Sequence, residues 1–205
     1  MSAPAVRRSM RIGLSGAFVA AGGLLIVGAL APWWDPEALG FWAFQIRGTG
    51  TYYVLRDTTL TQHVLGWLLV GIGCTTLSAA IVAVVRPAVA SAAAVVLGCA
   101  ATTVIVAVGW VDPLRLMGYF FEQIGSRFLL AVDVRELLDV EWGLVAATVG
   151  AVAVVAAGIV GWAVAVERRR LAYLVAWISL GVALGLGAVA LWSWSPADAL
   201  VHVGG

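Results

Sequence analysis

Lysine is missing from this 205-residue chain, and all twelve of its cationic side chains are arginine. With the excess of Ala, Gly and Val, that usage points to a GC-rich prokaryotic coding sequence. Cysteine is almost as scarce. Cys74 and Cys99 stand inside long apolar runs and the polar segments hold none, which excludes a disulfide framework. Histidine is limited to His63 and His202, and two imidazoles without third and fourth ligands do not make a zinc site. A formal net charge of +1 supplies no basic patch, so nucleic acid is excluded as a partner. No serine or cysteine stands beside a base that would activate it, and no nucleotide or metal motif occurs. Neither catalysis nor a cofactor is expected.

Charge is also missing from five stretches, each long enough to cross a bilayer. At 1.5 Å rise per residue, a hydrocarbon core of ~30 Å takes about 20 apolar residues in a helix. The sequence predicts spans at Ile12 to Ala31, Val64 to Val85, Ala88 to Val111, Trp142 to Val166 and Leu171 to Ser193. The hydrophobic share of 62% and a mean hydropathy of +1.02 exceed what a soluble core requires. The expected fold is an all-α integral membrane bundle of five helices, a single membrane domain over residues 1–205.

Orientation follows from the arginines, because positively charged loops resist translocation. One side holds Arg7, Arg8, Arg11, Arg86, Arg168, Arg169 and Arg170, with Glu167 as its only acid; the other holds five arginines against ten acids. The first side is expected to be cytoplasmic. The tail from Ser195 then lies outside, as do loops near 32–63 and 112–141, and the expected location is the cell membrane. Ala29-Leu30-Ala31 has the small-x-small form of a signal cleavage site, but Pro32 follows it and the apolar run is too long for a signal peptide, so a retained first helix is expected. Arg7-Arg8 reads as an anchor rather than a twin-arginine signal, and the arginine clusters suit anionic lipid headgroups.

Transporters and proton relays hold ionisable groups within the membrane at a cost of ~2.5 to 3.5 kcal/mol each on the insertion scale. The five spans contain none. Their polar side chains, Ser15, Thr75, Thr76, Ser78, Ser91, Thr102, Thr103, Thr148 and Ser179, can bond to carbonyls of their own helices. Small residues recur at four-residue intervals: Gly13, Ala17 and Ala21; Ala94, Gly98 and Thr102; Gly143, Ala147 and Ala151. Gly181 and Gly185 form a GxxxG in the last helix. Close packing within the bundle is the first expectation from these stripes, and a homo-oligomer through Gly181 and Gly185 the second. Cys74 and Cys99 lie at equal distances either side of the Arg86-Pro87 turn, a spacing that permits them to be level, and they read as packing residues.

Ten tryptophans are present. Trp33, Trp34, Trp42, Trp67, Trp110, Trp142, Trp192 and Trp194 fall near the outer boundary, and Trp162 and Trp177 toward the inner one. Indoles favour the headgroup level, and the one-sided excess marks a candidate surface for a partner or lipid. In the first outer loop, residues 41–47 and 51–57 flank Gly48-Thr49-Gly50 and predict a β-hairpin with a three-residue turn. With Arg47 opposite Thr51, one face would hold Trp42, Phe44, Ile46, Tyr52 and Val54, and the other Gln45, Arg47, Thr51, Tyr53 and Asp57. A lone hairpin is marginal, so its apolar face needs a support.

The second outer loop offers two readings. Phe128, Leu130, Val132 and Val134 alternate as a third strand would, whereas Asp133 with Glu136 at the capping-box position would start a helix running into the fourth span. Ahead of both, Leu114, Met117, Phe120, Phe121 and Ile124 suggest a short interfacial helix. Helix pairs bearing a small outer β-element built from the first loop resemble the plan of claudin-type four-helix proteins. That group's Trp-Gly-Leu-Trp signature and two loop cysteines are absent here, where Trp33-Trp34 stands without cysteine, and the fifth helix is extra. No family is assigned on it.

Three function classes follow. The leading one is a non-enzymatic accessory or structural membrane protein that docks a partner through its outer loops, with Trp33, Trp34, Trp42, Phe44, Tyr52, Arg115, Phe120, Phe121 and Glu122 as the candidate surface for a partner or for membrane lipids. The second is a small oligomeric transporter or channel for an apolar or lipid-like solute. The third is an outer-face lipid-modifying enzyme, which requires Asp112, Glu122, Asp139 and Glu141 to converge. The orientation is directly testable. A membrane-impermeant maleimide is expected to label Gly40→Cys in intact cells and Arg170→Cys only after permeabilisation; the reverse pattern would overturn the assignment.

Overall fold

A long uncharged segment in an apolar solvent has to satisfy its own backbone, and a helix does so within the segment. The computed structural model describes residues 3–35, 44–53, 58–111, 139–165 and 171–194. Over these, the five runs form α1 (Ala3–Leu30), α2 (Val64–Val85), α3 (Pro87–Val104), α4 (Trp142–Ala165) and α5 (Leu171–Trp194). Pro87 opens α3 at a position where its missing N–H costs nothing. The helix continues as a π-helical segment, Ile105–Val111. Apolar stretches of 19 to 25 residues reach ~29 to ~38 Å, so all five helices are long and apolar enough to cross a membrane. Large apolar side chains such as Ile81, Val85, Val160 and Leu191 are exposed along them, which fits lipid as the solvent.

α1 packs against α2 and α4, and α3 packs against α2 and α4 in turn, closing a four-helix ring. α5 lies outside the ring on α3. Only 11% of its apolar window is buried, against 56% for α3, so α3 is the central helix and α5 the outermost. Two apolar clusters fill the ring. One gathers Leu25, Leu69, Ile105 and Leu144 near the sheet described below, and the other Phe18, Ala80, Ala94 and Val154 farther along.

The stripe Gly143, Ala147 and Ala151 is buried, with Gly143 against Ala31 and Pro32 and Ala147 against Gly28 of α1, where the two backbones nearly touch. A Cβ at Gly150 would stand 2.6 Å from the Leu25 amide nitrogen, and one at Gly28 would overlap the Ala147 backbone. Gly98 abuts Val154 and Val155 in the same manner. Gly181 and Gly185 meet α3 at Cys99 and Thr103, so the GxxxG is occupied within the chain. Cys99 is buried there, while Cys74 is exposed on α2, and both are free thiols. Gly13 and Ala17 differ from the other stripes: nothing lies near a Cβ at Gly13, Ala17 is exposed, and only Ala21 is buried.

Thr75, Thr76, Ser78, Thr102, Thr103 and Thr148 each donate to the carbonyl four residues earlier, at 2.7 to 3.1 Å, as expected for hydroxyls in an apolar helix. Ser15 instead crosses to the Ala80 carbonyl of α2 at 2.8 Å.

At one end of the ring sits an antiparallel sheet of β1 (Pro32–Asp35), β2 (Phe44–Arg47), β3 (Gly50–Tyr53), β4 (Thr58–Gln62) and β5 (Asp139–Val140), in the order β4-β3-β2-β1-β5. It has more strands than the expected hairpin or three-stranded element, because the short runs at Pro32, Thr58 and Asp139 carry too few residues to show alternation. The hairpin register also differs. Arg47 pairs with Gly50, Ile46 with Thr51 and Gln45 with Tyr52, so the turn is Gly48-Thr49 alone. Shifting one strand by one residue turns its side chains over: Ile46 and Thr51 share the buried side, and Tyr52 joins Gln45 and Arg47 on the other. The expected helix from Asp133 into the fourth span is interrupted, since Asp139–Val140 pairs with β1 and α4 starts only at Trp142. The candidate strand at 128–134 and the candidate interfacial helix at 114–124 lie outside the described residues.

Gly28→Val is expected to lower stability by about 2 to 3 kcal/mol through overpacking against α4. Gly187→Val, where a Cβ meets nothing within 4 Å, is expected to change it by less than ~0.5 kcal/mol. Detergent unfolding followed by circular dichroism separates the two.

Candidate functional site

Trp33 joins the sheet to the bundle. Its indole is 2% exposed, and Nε1 donates to the Gly28 carbonyl at 2.8 Å. The hairpin turn lies across the ring: a Cβ at Gly48 would stand 2.7 Å from two ring carbons, and one at Gly109 of the π-helical segment 3.2 Å from another. The turn also rests on Gly66 of α2, and the His63 amide donates to the Thr49 carbonyl at 2.8 Å. On the other flank the Glu141 amide donates to the Trp33 carbonyl at 3.0 Å. Backbone contacts to α1, α2 and α4 thus hold the sheet in one pose.

Of the candidate surface residues, Trp33 and Trp34 are interior, at 2% and 6% exposure. They pack in the cluster beneath the sheet with Ile46, Leu65 and Leu144, because a broad indole fills the gap where helix ends diverge better than it fills a loop surface. Phe44 opens β2 opposite Tyr53. Tyr52 is half-buried and belongs to a polar group: the Arg47 guanidinium lies 4.6 Å from its ring centre, and Arg47 donates through Nε and Nη2 to Gln45 Oε1 at 3.1 and 2.9 Å. Thr49 Oγ1 and Tyr52 Oη share a hydrogen bond of 3.2 Å. Trp42, Arg115, Phe120, Phe121 and Glu122 lie outside the described residues.

Among the described residues the exposed aromatics at this end are Trp67, Trp110 and Trp142, near the starts of α2 and α4 and the end of the π-helical segment. They form the amphipathic rim expected of indoles at an interface. Trp110 Nε1 donates to Thr148 Oγ1 at 3.0 Å, so its polar edge is satisfied while its ring stays outside. Asp35 sits opposite Asp139 across β1 and β5, and Glu141 follows. His63 is buried, at 1% exposure, and among the described residues no three His, Cys, Asp or Glu side chains gather as metal ligands would. Asp112 and Glu122, needed for a carboxylate cleft, fall outside the described residues.

The opposite end carries a second feature, which the sequence reading missed. A groove of about 1170 Å³ opens between α1, the α2–α3 turn and α4, with Arg11 and Arg86 as its charged lining residues. Its one sequence signal was the Gly13 and Ala17 stripe, which reads as packing until its partner proves absent. Comparison with protein-family models, with curated proteins and with solved structures gives no match.

Trp33→Ala removes the support of the hairpin turn and is expected to destabilise by about 3 to 5 kcal/mol. Hydrogen exchange should quicken at the amides of Gln45 to Tyr52 well before those of α3; equal quickening throughout would deny Trp33 its local role.

Proposed function

We propose that the chain is a non-enzymatic, multispanning protein of the cell membrane, an accessory or structural subunit that docks a partner through its outer loops. In this reading the segment preceding α1's apolar stretch, the α2–α3 turn and the α4–α5 turn are cytoplasmic, where the arginines concentrate. The sheet then faces outward. The observation that carries the reading is the fixed attachment of the sheet: held by backbone hydrogen bonds and glycine contacts at three helix ends, it is preorganised, and binding to it need order little.

Around it, the Arg47, Gln45 and Tyr52 group and the exposed Trp67, Trp110 and Trp142 supply aromatic and arginine contacts of the kind enriched at interfaces. Spans free of ionisable side chains fit a scaffold better than a coupled carrier. A second copy is a further partner within this reading; since Gly181 and Gly185 are covered by α3, it would meet the exposed face of α5. The groove favours one alternative, a small carrier for a lipid-like solute.

Photo-crosslinking residues placed at Tyr52 and Val140 in the native membrane are expected to capture one protein species that also co-purifies stoichiometrically, while a probe at Val89 does not capture it. Crosslinks to lipid alone from both sheet positions would overturn the docking reading and favour the carrier.

A further inference from the structure

The groove at the end opposite the sheet combines an apolar furrow with two cationic side chains. Its lining is mostly small: Gly13 and Ala17 on α1, Ala153, Ala157 and Gly161 on α4, with Val160 and with Leu14, whose side chain lies against Gly161. Leu14 makes the contact between α1 and α4 here, and the small side chains of Gly13 and Ala17, both exposed, leave a furrow beside it. The volume of about 1170 Å³ exceeds the ~300 to 1,000 Å³ usual for small-molecule pockets. Along α4 the lining runs from Ala153 to Ala165, about 18 Å at 1.5 Å per residue. One leaflet of a ~30 Å hydrocarbon core is about 15 Å deep, so the furrow matches a single leaflet in length.

The mouth is cationic. Arg11 and Arg86 line it, and the rest of the lining is apolar. Arg11 donates through Nη1 to the Val84 carbonyl at 3.3 Å, which parks its guanidinium over the C-terminus of α2 and leaves its other N–H groups free to turn to the groove. Arg86 stands between α2 and α3, and the first turn of α3 at Pro87, Ala88 and Val89 lines the same mouth, adding the positive end of a helix dipole. Among the described residues the carboxylates are Asp35, Asp139 and Glu141, all at the sheet end. Nothing described at the groove neutralises the two arginines.

We propose that the groove holds one anionic phospholipid, its phosphate between Arg11 and Arg86 and an acyl chain along Gly13, Ala17 and Ala157. Guanidinium groups bind phosphate oxygens in a bidentate fashion, and an acyl chain fills an apolar furrow that protein leaves empty. The site is independent of any partner at the sheet.

The test uses the full chain reconstituted in vesicles of equal phosphatidylglycerol and phosphatidylcholine, extracted in mild detergent and weighed by native mass spectrometry. The expected result is one retained lipid, enriched in phosphatidylglycerol. Arg11→Gln and Arg86→Gln are each expected to lower that enrichment about 5-fold, as for loss of one basic residue near an anionic surface. Gly13→Phe should expel both lipid types, while Gly187→Phe, equally open but on α5, should leave retention as in the wild type; the glycine variants keep the test valid if an arginine variant fails to fold. Retention in the bulk ratio, enrichment that survives loss of both arginines, or equal losses in the two glycine variants would each overturn the proposal. Displacement by inorganic phosphate would overturn it too, in favour of a free-anion site.

Discussion

The rest of the structure depends on the near-contact of two backbones, α1 and α4. Lipid offers apolar side chains the same company that another helix does, so burial by itself does little to bring helices together; dispersion between closely packed atoms has to do it. Gly28 and Gly150 remove the side chains that would hold the helices apart, and Ala147 and Leu25 fill the space with main chain. This contact sets where both helices end at the sheet side. With α2 joined to α1 through Ser15 and Ala80, and α3 closing the ring, the helix ends become a fixed frame.

That frame explains the sheet. Five short strands, one of only two residues, are weak as an isolated unit, yet here β1 follows directly from α1, β4 leads into α2 and β5 into α4. These three strands are tethered to helix ends whose positions are already decided, and β2 and β3 are held between β1 and β4. Trp33 fills the space that remains between them, using its ring against glycine backbones and its N–H on the Gly28 carbonyl. A residue that reads as an interfacial anchor therefore works as an internal wedge. The indoles that stay exposed are Trp67, Trp110 and Trp142 at the periphery.

At the other end the helices are held by Ser15 on Ala80 and by Gly158 against Val95, yet one small-residue stripe there has the opposite outcome. Gly143, Ala147 and Ala151 meet a facing helix and disappear into contact, whereas Gly13 and Ala17 line open space. Small residues permit close approach without compelling it. Among the described residues, the carboxylates and the β platform lie at one end, and Arg11 and Arg86 border an apolar furrow at the other.

The sequence by itself determined the five helices, their limits to within a few residues except at the start of α1, which extends back to Ala3, and the presence of a hairpin, since length, absence of charge and the β-branched and aromatic runs are local properties. It also determined that the threonines of the helices and Ser78 bond to the carbonyl four residues earlier, whereas Ser15 reaches across to Ala80 of α2, a partner that only the packing supplies. Tertiary structure decided everything that depends on which surfaces meet. The strands at Pro32, Thr58 and Asp139 exist only because distant helix ends bring them together, and the one-residue change in hairpin register places Ile46 inward over the bundle and Tyr52 with Arg47. Whether a glycine stripe became a seam or a groove, and whether an indole faced lipid or the interior, rested on the partner across the gap, which four-residue spacing cannot name.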